Sequence, residues 1–166
     1  MNQHIANFCQ AAALSVFLGL SVPAIARADG GVTPVAESGI IKVKSAYSKP
    51  ETIARLKQDI AAKGIRFFDE IDQAQLAADA GIQIHPSTLL VFGNPPLGTL
   101  FIRSNSLAGL DWPVRLLVFE DERGQVWAAY TDFSYIARRH EIRGMDQEAF
   151  DKATGVIASI TSSVTR

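Results

Sequence analysis

Cysteine is almost missing from this chain, and its position takes it out of the chemistry of the fold. The 166 residues include a single cysteine, Cys9, inside an N-terminal leader expected to be removed. The remaining chain then has no thiol nucleophile, no disulfide, no CxxC redox pair and no CxxCH haem attachment. Histidine is scarce as well, with only His85 and His140 beyond the leader. No HExxH, no Ser-His-Asp order and no metal-spaced cluster occurs, so neither a metal nor a cofactor is expected. An excess of one charge is also lacking: 16 Lys+Arg stand against 17 Asp+Glu, a formal charge of −1. Without a basic run, binding that tracks the phosphates of nucleic acid is not expected. The most apolar run, residues 11–22, is too short to cross a bilayer and has the length of a signal-peptide core.

The residues just after that run support export. Pro23 is succeeded by Ala24-Ile25-Ala26 and Ala26-Arg27-Ala28, both small-x-small, and cleavage is expected after Ala28. The expected leader is thus residues 1–28, with the mature protein expected to be periplasmic or secreted and to keep no stable membrane span after cleavage. Residues 29–38 are Gly-rich and read as a flexible lead-in to one domain over residues 39–166. A hydrophobic fraction of 48% predicts a packed core.

Along that domain the periodicity changes repeatedly. Ile41, Val43 and Ser45 alternate with Lys42, Lys44 and Ala46, a strand with one wet face. Ser48-Lys49-Pro50-Glu51 has the form of a capping box, with the hydroxyl taking a first-turn N–H and Glu51 reaching back. Ile53, Leu56 and Ile60 then mark one helical face, and Gly64 stands where a left-handed stop belongs. A strand over residues 65–71 precedes a short helix capped by Asp72. Residues 87–92 form an apolar strand expected at the centre of the sheet. Asn94 precedes Pro95-Pro96 as the N-cap of another short helix. After Asp111-Trp112-Pro113, residues 114–119 and 125–131 read as a hairpin around residues 120–124. Asp132 caps a helix over residues 133–140, broken by Gly144, and Asp146 caps a closing helix to residue 164. Too few βαβ crossovers are present for a doubly wound sheet. The fold expected is α+β, with one mostly antiparallel sheet of four to five strands packed against helices.

Leu89-Leu90-Val91-Phe92-Gly93-Asn94-Pro95, then Gly98-Thr99, Asp111-Trp112-Pro113-Val114-Arg115-Leu116-Leu117-Val118 and Arg139-His140, succeed one another in an order that resembles the domain of unknown function 302 family. The resemblance covers about residues 39–143. It implies a compact α+β domain, often exported by bacteria and homodimeric, with no established activity. Where this family commonly carries Asp-His, the chain has Asp72-Gln73. Gln73 is a poor transition-metal ligand and no general base near neutral pH.

The candidate site residues are Asn94, Arg115, Arg139, His140, Asp72 and Asp111. Asn94 opens a helix after a strand, where free N–H groups and the dipole suit a small anion, though two prolines remove two donors. His140 closes a helix beside Arg138 and Arg139, where a cation is favourable on dipole grounds alone. Glu120, Asp121 and Glu122 read as solvated turn residues. The reading is a non-catalytic ligand-binding or interaction module. The alternative is an enzyme acting on a small anionic or polar substrate through Arg115, Arg139 and His140 with Asp72 or Asp111. A homodimer is expected because residues 112–119 place large apolar groups on both faces of a strand.

Overall fold

A computed structural model describes residues 38–143 and 147–166. The leader, most of the lead-in, Gly144 and the Asp146 cap lie outside the described residues. Strands β1 (Ile40–Lys44), β2 (Arg66–Asp72), β3 (Ser87–Gly93), β4 (Val114–Glu120) and β5 (Val126–Thr131) form one five-stranded sheet in the order β1-β5-β4-β3-β2. Every neighbouring pair is antiparallel. Helices α1 (Lys49–Ala62), α2 (Gln73–Asp79), α3 (Pro95–Ser104), α4 (Phe133–Arg139) and α5 (Gln147–Ser162) complete an α+β domain, with a 3-10 turn at Ser106–Leu110.

The period-2 alternation of β4 decides which sheet face is covered. Val114, Leu116 and Val118 are buried, in register with Phe92, Leu90 and Thr88 of β3. On the other side of β4, Leu116 and Val118 face Tyr130 and Ala128 of β5. Leu56 and Ile60 of α1, Phe133 and Ile136 of α4, and Ala153, Ile157 and Ile160 of α5 close over this face. The opposite face carries Arg115, Leu117, Phe119, Leu89, Val91 and Trp127, each half-buried or exposed. Lys42 stretches across it, its Nζ 4.6 Å from the Trp127 ring centre and 5.3 Å from that of Phe119.

Three expectations about local structure need correcting. The central strand is β4, not β3, which lies one place in from the edge; an apolar run reports a strand paired on both sides, not its rank. Ser48 is the N-cap of α1, but its side chain makes no capping bond. Pro50 in the first turn has no N–H to offer, and Glu51 instead meets Arg55 Nε at 2.7 Å. Helix α4 covers the expected residues, but its stop is Glu141 rather than Gly144. Glu141 adopts φ 48, its N–H bonds to Arg138 O, and Ile142 N–H reaches back to Ala137 O. That is the stop Gly64 makes after α1, at φ 64, here built on a residue with a Cβ.

Asp121 is more than a solvated turn residue. Its carboxylate accepts from the N–H of Arg123 and Gln125 and, at 2.8 Å, from Trp127 Nε1. The indole bond is the largest cause holding its pKa below the ordinary 3.8.

Candidate functional site

Four of the six candidate residues meet at one carboxylate. Asp111 ends the 3-10 turn, and its side chain is only 4% exposed. His140, the residue after α4, places Nε2 2.6 Å from Asp111 Oδ2. Arg139 Nη1 lies 3.2 and 3.1 Å from the two carboxylate oxygens. Arg115 reaches back from β4 with Nη2 3.0 Å from Oδ1. Arg115 and Arg139 keep about half of their side-chain surface in solvent, 51% and 50%.

The chain brings these groups together through two local devices. The first is the 3-10 turn, in which Asn105 Oδ1 accepts from Leu107 N–H and Asp111 N–H bonds back to Ala108 O. The second is the abrupt end of α4, which presents the His140 carbonyl to Asn105 Nδ2 at 2.6 Å. Asn105 therefore ties the turn to the helix end, and sequence reasoning overlooked it. Its only signal was an Asn ahead of a Ser-Leu turn, a common N-cap arrangement. The peptide before Pro113 is cis.

Asp72 does not join this group. It caps α2, accepting from Gln75 N–H at 3.0 Å in an exposed position. Beside it Gln73 accepts from Ser87 Oγ at 2.7 Å, a structural use for this side chain. Asn94 is also elsewhere. It precedes α3 without a side-chain cap bond, and the first available helix N–H groups, those of Leu97 and Gly98, both bond to its own carbonyl. That helix start therefore has no free donor for an anion. The Asn94 side chain instead lines an open cleft of about 350 Å³ with Pro96, Leu97, Glu148 and Lys152. Arg115 cannot assist there, because Val114, next to it, lines the apolar pocket behind Asn94 and successive strand residues point to opposite faces.

Chemically, the cluster is a buried carboxylate facing two arginines and an imidazole. Each guanidinium carries five N–H donors, so those turned away from Asp111 are available to solvent or a ligand. The described residues contain no group of three or more metal-ligating side chains. None of the described helices is long and apolar enough to cross a membrane.

Known proteins place the chain. The model of the family described as "Domain of unknown function DUF302" matches residues 41–160. The chain belongs to the DUF302 family. A crystal structure of an uncharacterized conserved DUF302 protein from Bacillus stearothermophilus superposes with a TM-score of 0.68 at 16% identity, over 76% of this chain and 98% of that one. This likeness supports the α+β fold. Among curated proteins, fluoride-specific ion channel FluC 1 of Brucella suis biovar 1 is 34% identical over 119 residues, 72% of this chain and 46% of the channel protein. Its Brucella abortus counterpart is also 34% identical, over 44% of its length. The DUF302 chain thus spans less than half of the curated relatives it matches.

Proposed function

We propose that this DUF302 protein is an exported, non-catalytic module that binds a small anion at Arg115 and Arg139. The observation that carries the reading is the anchoring of both guanidiniums on the one buried Asp111 carboxylate, with half of each side chain left in solvent. Asp111 fixes the arginines at little entropic cost to a ligand and cancels only part of their charge. A preorganised pair of planar donors suits an oxyanion or a halide. The curated relatives bear the name of fluoride channels, so fluoride belongs among the anions to test.

Export is part of this proposal: the protein functions outside the cytoplasm after removal of residues 1–28. Intact mass of the exported protein checks this, with Asp29 as the expected first residue and a retained Met1 as the contrary result. Anion binding is tested by calorimetric titration of the full chain with fluoride, phosphate, sulfate and acetate. Binding of at least one anion should be lost in Arg115→Ala and Arg139→Ala and kept in Asn94→Ala. Equal heats in all four proteins would exclude the site.

A second reading rests on the 2.6 Å contact between His140 and Asp111. An acid that orients a histidine is the arrangement of general-base catalysis. His140 is only 6% exposed, however, and its carbonyl is tied to Asn105. That burial favours a structural role for the pair.

A further inference from the structure

Leu107 and Leu110 are the most exposed large apolar residues among those described, at 63% and 67%. Both lie on the 3-10 turn Ser106–Leu110. Side chains three apart eclipse in such a turn, so the two leucines share one side. Ala108, between them, is 1% exposed and anchors the turn in the core. The leucines therefore project from a supported base.

The surroundings of the turn are basic. Asp111 closes it and holds Arg115 and Arg139. Ser104 Oγ donates to the Arg143 carbonyl at 3.0 Å, bringing that segment against the end of α3, whose last turn carries Arg103. All four arginines are exposed. Of the acids described nearby, Asp111 is buried and already engaged, and Glu141 lies 4.0 Å from Arg143. In a chain of net charge −1, this corner is a local concentration of positive charge.

A second exposed apolar group, Leu76, Ile82 and Ile84, differs on this point. No Lys or Arg occurs between Arg66 and Arg103. That segment therefore adds no basic side chain of its own to the patch.

We propose that the Leu107–Leu110 turn and its ring of Arg103, Arg115, Arg139 and Arg143 dock onto an anionic phospholipid surface. The leucines enter the boundary between headgroups and acyl chains while the guanidiniums meet lipid phosphates. An apolar tip ringed by long cationic side chains matches that boundary in both polarity and charge. The inference rests on the anion-binding reading of Arg115 and Arg139 and names the anion as a lipid phosphate.

Vesicle co-sedimentation of the full chain tests it, with vesicles of equal parts phosphatidylcholine and phosphatidylglycerol against phosphatidylcholine alone. Anionic vesicles should be preferred, and Leu107→Ser/Leu110→Ser should weaken binding by about tenfold or more. Ile82→Ser/Ile84→Ser should bind as wild type. A local readout removes any contribution from the apolar leader: the fluorescence that Leu107→Trp adds over wild type, whose own indoles are Trp112 and Trp127, should be quenched by brominated phosphatidylglycerol vesicles. An unquenched indole, or equal binding by the Leu107→Ser/Leu110→Ser protein, overturns the proposal. Soluble phosphate bound at Arg115 and Arg139 without vesicle binding would overturn the docking alone. Loss of both phosphate and vesicle binding would overturn the anion reading as well.

Discussion

The Trp112 indole lies so close to Gly98 that a Cβ added to the glycine would fall 1.7 Å from Trp112 Cε2. Trp112 is held from its other neighbours too, stacked 5.7 Å from Phe101 and tilted against Phe133 at 6.0 Å. It cannot withdraw without disturbing the core. Gly98→Ala should therefore cost about 1–3 kcal/mol, the usual range for overpacking. Gly109→Ala, where nothing lies within 4 Å of the added carbon, is the control. Thermal melts of the two variants decide it, and equal Tm values would show that the indole yields.

Removing the Asp111 charge should unsettle the site more than removing either arginine. In Asp111→Asn, His140 loses a carboxylate 2.6 Å away and two guanidiniums lose their anchor. The expected loss is about 1–3 kcal/mol, since a buried partner is left poorly satisfied. Arg115→Ala, at a half-exposed pair, should cost less than about 1 kcal/mol. Denaturant unfolding of both variants measures the difference.

At the end of α4 the helix stop can be improved. Glu141 adopts φ 48, a conformation in which a Cβ is strained. Glu141→Gly should raise stability by up to about 1 kcal/mol, reduced by the added freedom of glycine in the unfolded chain. A lower Tm would mean that the Glu141 side chain contributes more than its backbone strain removes.

Asp121 links stability to acid pH. Its folded pKa is depressed below 3.8, first by the Trp127 indole bond and then by the Gln125 N–H. A depressed carboxylate contributes stability above its unfolded value, and that contribution disappears as pH falls through the lower folded value. Trp127→Phe removes the largest cause. The Tm difference between wild type and this variant should therefore narrow as pH drops below 3.8. A gap constant with pH would assign the whole effect to lost packing.

The parts of this molecule legible in the sequence are those set by neighbours in the chain. Alternation of Val114, Leu116 and Val118 with Arg115, Leu117 and Phe119 revealed β4, and Asp72 and Asp132 were recognisable as caps, accepting from Gln75 and Tyr135 N–H. The site was legible as a set of residue types, but its geometry was not. Arg139 and His140 reach Asp111 only because α4 docks beside the 3-10 turn, a contact across 28 and 29 positions that no local pattern encodes. The same limit applies to Trp127 and Asp121: the hairpin was evident, whereas the indole bond depends on where the ring points once the turn has closed.

The sheet face that the helices leave open should pair two copies of the chain. Leu89, Val91, Leu117, Phe119 and Trp127 lie there only partly buried. The short helices do not cover it: α2 buries no residue, and α3 directs Phe101 into the core on the other side. The face also has a charge gradient across the strands. Lys42 and Lys44 belong to β1 at one edge, while Asp69 pairs with Val91 on β2 at the other. A two-fold axis running along the strands would lay β1 of one copy over β2 of its partner, bringing lysines toward the acid and covering Leu89, Leu117, Phe119 and Trp127, with Arg115, near the start of β4, left at the rim. A homodimer through this face is the expected state. Light scattering across a dilution series should show dimers that dissociate on dilution, and Leu117→Arg should shift the transition to higher protein concentration. A single-chain mass at every concentration would mean that Lys42, folded over Phe119 and Trp127, is cover enough for this face.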